Sequence, residues 1–259
     1  MRGLLDVEAK PPSFAPMPRV DPRSFDLPWE SLSHGVPEPA CKLAIWHAPD
    51  SEPQRRDLAL RFPLRDVHAM STHRQREHHA VACAVTCITG TEDWSVVHDE
   101  HGAPNLVLGE AVDGTGWRIS LSHHDVDGGV VAAAALWTDG TPGGIDLVHV
   151  GDPRLSRVAS RFMSEEERKS WQSREGWIWA TKEAMFKGHG PALTFQTDLH
   201  VDAISGFDPS CGMDDSHGGS VAGQVIRKGE HDQCTTHLWK GQWHRLPMEG
   251  GHLVVVWGR

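Results

Sequence analysis

Ten of the seventeen prolines in this 259-residue chain lie between Pro11 and Pro53. Proline fixes φ and carries no amide hydrogen, so a stretch this dense in it is denied both helix and central-strand bonding. Residues 1–40 therefore read as a Pro-rich, poorly ordered arm, and the folded body must be built from residues 41–259. There the patterning is mixed. Lys42–His47, Trp94–His98, Trp117–Leu121, Val130–Leu136, Gly144–Val150, Val221–Ile226 and His252–Trp257 have strand character. Helical signals cover Glu52–Leu60, Thr72–Thr86 and Glu175–Lys187, the last with Gly188 placed to stop it. A further helix should start at the capping box Ser164-Glu-Glu-Glu167. Turns are expected at Glu100–Pro104 and Asp125–Gly129, and a loop over Gly206–Gly219. This mixed order predicts an α+β fold.

Composition narrows the function. The chain carries a net charge of −10, which argues against a general nucleic-acid coat but leaves room for a local basic site. From Asp152 to Gly190 there are eight Lys/Arg against six Asp/Glu, a small basic excess inside an acidic chain. No run approaches the roughly 18 apolar residues of a membrane span, and no apolar core marks a signal peptide, so a cytoplasmic protein is expected. The five cysteines, an odd number in no dense framework, fit a reducing compartment. Cys83 and Cys87 share one helix face, but no second ligand pair follows at zinc-finger spacing. Binding of a transition metal by some of the eighteen histidines stays open as an alternative.

Asp146 is the most informative residue. It sits in a strand between Ile145 and Leu147, with Val148 on its own face. A carboxylate in such surroundings needs a cation, a donor network or a metal, unless it lies solvated at a strand edge. Glu183 and Lys187 are four apart on one helix face, with Lys182 beside Glu183. They form either a solvated ion pair or a metal-binding carboxylate beside a phosphate-binding ammonium. Ser120-Leu-Ser-His-His124 closes a strand without the G-x-S-x-G surround of a nucleophile elbow. It serves as a strand-end turn or as a phosphate contact.

In order and spacing these segments resemble the 4'-phosphopantetheinyl transferases, the larger Sfp-like type. The resemblance rests on Ser122-His123, on Gly144-Ile145-Asp146, on Arg161-Phe-Met-Ser-Glu-Glu-Glu167, and on the helix from Trp179 through Lys182-Glu183 to Lys187. It implies a pseudo-twofold pair of similar α/β halves, residues 41–116 and 117–259, with the active site in the cleft between them. It further implies transfer of the phosphopantetheine arm of coenzyme A to a serine of an acyl or peptidyl carrier protein, by a monomer using Mg²⁺. Asp146 and Glu183 would hold the metal, and Glu183, Lys187 and Glu167 would be catalytic. Ser122, His123, Lys182 and Lys187 would contact coenzyme A. The family's usual Gly-Lys-Pro turn reads Gly102-Ala103-Pro104 here, a common second acidic residue is Val148, and a helix arginine is replaced by Ala82. Arg74 and Arg76 are the candidate substitutes for the missing cations. A non-catalytic, carrier-binding member of the same fold is the alternative.

Overall fold

The computed structural model describes residues 41–109, 117–206, 218–229, 233–248 and 251–259. The expected N-terminal arm lies outside these residues, as does most of the Gly206–Gly219 loop. The chain begins with β1 (Cys41–Pro49), α1 (Leu58–Arg61), α2 (Thr72–Thr89), β2 (Trp94–His98), β3 (Pro104–Leu108), β4 (Arg118–Val126) and β5 (Gly129–Trp137). It continues with β6 (Gly144–His149), α3 (Pro153–Val158), α4 (Glu165–Ser170), α5 (Glu175–His189), β7 (Leu199–Ile204), β8 (Gly218–Lys228), β9 (Cys234–Met248) and β10 (Gly251–Gly258). The α+β expectation holds. Leaving the short helices aside, the chain twice runs strand, long helix, four strands.

Pairing repeats this order. The opening strand of each pass lies antiparallel to its closing strand, β1 with β5 and β6 with β10. The first sheet is β1-β5-β4, with β2 and β3 as a separate ribbon, and the second is β6-β10-β9-β8-β7. Since β5 pairs with β1 and β4 with β5, the first sheet ends at Trp137 and the second begins at Gly144.

Strand parity assigns the core. In the first sheet Ala132, Ala134 and Leu136 pack against α2, where Ala80, Ala84 and Val85 are buried. Their neighbours Val131, Ala133 and Trp137 face Ile145, Leu147, Leu253 and Val255 of the second sheet. On the other face of that sheet Val148, Val254 and Val256 meet α5 through Ala180, Ala184 and Met185. Helix, sheet, sheet and helix therefore stack around a shared centre. No helix among the described residues is long and apolar enough to cross a membrane.

Local chemistry fixes the ends. Ser71 caps α2 by accepting the Arg74 amide at 3.3 Å, and Gly90 closes it at φ +68°. The capping box at α4 forms as expected, Ser164 Oγ taking the Glu167 amide and Glu167 taking the Ser164 amide. The helix expected over Glu52–Leu60 shrinks to α1, because the Arg55 amide donates to His79 Nδ1 instead of entering a helix ladder. Helix α5 runs past Gly188, which does not stop it; Gly190 is the cap. Gly188 lies against Gly143, and a Cβ on Gly144 would fall on the Ala184 carbonyl. These glycines let α5 rest directly on the backbone that leads into β6.

Candidate active site

The outer edge of β6 faces β4, and serine hydroxyls bridge the two strands. The Ile145 amide donates to Ser120 Oγ at 3.2 Å, and the Leu147 amide to Ser122 Oγ at 3.1 Å. Asp146 lies between them, buried, on the face turned toward α5. Its Oδ1 accepts from Ser122 Oγ at 2.8 Å and from Lys187 Nζ at 2.7 Å, and Lys187 also donates to the Ile145 carbonyl at 3.0 Å. The close contact of α5 with Gly143 and Gly144 is what lets Lys187 reach this strand.

Glu183 sits one turn before Lys187 and is half-buried. Burial, and then the like charge of Asp146, push its carboxyl up to about 7 despite the opposing field of Lys187. Two carboxylates that repel each other, with both bonds to Asp146 falling on one oxygen, are an oxygen donor set suited to a hard divalent ion. The residues fit Mg²⁺.

Beside this hub lies a cleft of about 670 Å³ between α2, β3 and β4 on one side and the end of α5 on the other. Among the described residues, Arg65, Arg74, Arg118, Lys187 and Arg227 line it, against the single carboxylate of Glu77. The cleft is thus strongly positive in a chain whose net charge is −10. His78, His98, His123 and His189 also line it. Burial lowers all four, His189 to about 4 with help from Arg227 and His237, so they are neutral at pH 7. The fixed charge comes from the arginines and Lys187.

The expected site residues divide. Asp146, Glu183 and Lys187 converge, and Lys187, Arg74 and His123 reach the cleft. Ser122 does not line it: its one hydroxyl hydrogen is committed to Asp146, so it positions that carboxylate and has none for a phosphate. Arg76 turns away to pair with Asp50. Lys182 is fully buried, and its ammonium donates to the Phe162 carbonyl at 2.7 Å, Glu167 Oε2 at 2.7 Å and the Phe195 carbonyl at 2.9 Å. All three hydrogens are used within the fold. Glu167, besides Lys182, accepts the amides of Ser164 and Val201, at 2.8 and 2.9 Å, and so braces α4 against β7.

Residues 142–244 match the family model of the 4'-phosphopantetheinyl transferase superfamily. The matched stretch opens just before β6, carries Asp146, Glu183 and Lys187, and ends in β9. It associates this part of the chain with phosphopantetheine transfer in general. No curated protein matches the chain. Of the cleft arginines, Arg65, Arg74 and Arg118 precede the matched stretch, and Arg227 on β8 lies within it.

Sequence reading missed Glu77. It is a buried carboxylate on α2, with Arg74 Nη1 donating to Oε2 at 2.7 Å and His123 Nδ1 3.6 Å from Oε1. A signal existed: its neighbours three and four positions on, Ala80 and Val81, are buried core residues, so Glu77 interrupts an apolar helix face. Arg65, Arg118 and Arg227 carried no such mark, because they come together only across the cleft.

Proposed function

We propose that this chain transfers the 4'-phosphopantetheine arm of coenzyme A to a serine hydroxyl of an apo acyl or peptidyl carrier protein, releasing 3',5'-ADP. The observation that carries the reading is the five-cation cleft with Lys187 in its wall, the same Lys187 that holds Asp146 within the superfamily-matched stretch. A diphosphate with a further 3'-phosphate is a ligand whose charge such a cleft complements.

In this reading Asp146 and Glu183 hold Mg²⁺, which when bound neutralises charge on the diphosphate. Arg65, Arg74, Arg118 and Arg227 take phosphate oxygens. His123, with Nδ1 toward Glu77, offers Nε2 to a phosphate and takes up a proton as that charge arrives. The carrier serine oxygen bonds to the phosphorus bearing the pantetheine arm, and the bond from that phosphorus to the bridging oxygen breaks. Glu183 accepts the serine proton, and Lys187 neutralises the departing phosphate. Positioning and charge neutralisation are most of what such a transfer requires. The reading also takes the two strand–helix–four-strand passes as pseudo-twofold halves, and the enzyme as a cytoplasmic monomer of the Sfp-like type.

The test is the intact mass of apo acyl and peptidyl carrier proteins after incubation with this protein, coenzyme A and Mg²⁺. A gain of one phosphopantetheine that EDTA abolishes is expected. No gain across both carrier types, with carrier binding still seen by calorimetry, would replace this reading by that of a non-catalytic carrier binder. Ala103 in the cleft wall and Val148 beside Asp146 would then be the first places to look.

A further inference from the structure

At the outer end of α2 a different set of side chains converges. His73 and Glu77 lie one helical turn apart on α2, while His123 and Asp125 are two apart on β4 and so share one strand face. His73 Nε2 is 3.4 Å from Glu77 Oε1 and 3.3 Å from Asp125 Oδ2. Ligand atoms of His73, Glu77 and Asp125 all fall within 4.8 Å of one another. His123 Nδ1 stands 3.6 Å from the same Glu77 oxygen. Around a tetrahedral ion with bonds of about 2.0–2.2 Å, neighbouring donors stand about 3.3–3.6 Å apart. The two separations from His73 Nε2 match that spacing. The other oxygen of Glu77 is held by Arg74 at 2.7 Å, which fixes the carboxylate with Oε1 presented to the histidines.

We propose that His73 Nε2, Glu77 Oε1 and Asp125 Oδ2 form a binding site for a divalent transition ion of the Zn²⁺ type, with water in the fourth position. The donor set, imidazole with carboxylates, suits such an ion better than Mg²⁺, which prefers all-oxygen surroundings. It uses none of Asp146, Glu183 and Lys187.

A second His-containing cluster, Glu52 with His79 and Cys83, does not share this character. His79 Nδ1 accepts the Arg55 amide at 3.1 Å, so Nε2 keeps its proton and donates it to Glu52 at 2.8 Å. Burial pushes the Cys83 thiol up to about 12, far from the thiolate a metal needs. Its polar atoms already satisfy one another.

The experiment is calorimetric titration of Zn²⁺ into the full chain, made without a histidine tag and freed of metal by EDTA and dialysis. One tight site per chain is expected. The double variant His73→Ala/Asp125→Asn should weaken it at least tenfold, while Cys83→Ser and Glu183→Gln leave it unchanged. Both replaced side chains are more than half exposed, and circular dichroism verifies that the variant folds. X-ray absorption of the loaded protein should show nitrogen and oxygen donors only. Failure to bind zinc, wild-type affinity in the double variant, or loss of binding in Cys83→Ser would each overturn the proposal. None of these readouts depends on transfer activity.

Discussion

Helix α5 carries two lysines five residues apart, and each meets a carboxylate at 2.7 Å, yet the pairs differ in kind. Lys182 is sealed: three acceptors take its three hydrogens, and Glu167 is saturated in turn by backbone amides. Burial alone lowers Lys182, and Glu167 restores part of its charge preference. Among the described residues Lys187 makes two bonds, both to β6, and its side chain keeps 28% of its surface exposed at the cleft. One ammonium hydrogen is left for a ligand. Burial of a charge therefore does not mark the chemistry; unspent bonding capacity facing a cavity does.

The largest effect that tests this contrast is on stability. Lys182→Met leaves the Glu167 carboxylate in the core without its cation, and urea unfolding should show a loss of about 3–5 kcal/mol. Lys187→Ala should behave in the opposite way. Asp146 keeps its bond from Ser122, so the fold loses less than about 2 kcal/mol. Carrier phosphopantetheinylation should drop by about 10²–10³ with the cation gone. If Lys187→Ala unfolds the protein as Lys182→Met does while transfer per folded molecule is unchanged, the distinction between the pairs is lost.

Glu183 sharpens the comparison through pH. Its carboxyl stands at about 7 in the fold against an ordinary 4.5, so the folded state binds the extra proton between these values. Stability from this group is complete below about pH 4.5 and is lost as pH rises through 7. Melting temperatures of wild type and Glu183→Gln should therefore diverge on going from pH 5 to pH 8, with the variant gaining relative to wild type. Mg²⁺ should narrow that gap by stabilising only the chain that has the carboxylate. Parallel melting curves across this range would mean that burial and the charge of Asp146 do not raise the Glu183 carboxyl.

The legible parts of the molecule are those written in local sequence. The apolar run around Asp146, the Ser164 capping box and the four-residue spacing of Glu183 and Lys187 each specify their own structure. Lys182 was also readable: at 100° per residue it cannot share a face with both Glu183 and Lys187, and the face it occupies is the buried one. Strand β9 escaped because Lys240, Gly241 and Pro247 break its apolar runs. Its period survives only as Trp239, Gly241 and Trp243 on one face, the glycine making room for the Trp239 ring. Strand β3 was hidden by its opening Pro104. The cleft was the least legible feature, since Arg65 lies between α1 and α2, Arg118 on β4 and Arg227 on β8, and they acquire a common purpose only when these parts meet.

The smallest expected effect comes from a third pair with the same bond length. Lys169 Nζ lies 2.7 Å from Glu165 Oε1, at i and i+4 on α4, with both side chains 72% exposed. By distance it equals the other two. In water, however, the Coulomb attraction at this range is offset by the entropy of holding two long side chains, and salt screens the rest. Lys169→Ala should shift stability by no more than about 0.5 kcal/mol and leave transfer unchanged. A loss near that of Lys182→Met would show that distance, not environment, sets the strength of these pairs. The reading of Lys182 as brace and Lys187 as working cation would then have no physical basis.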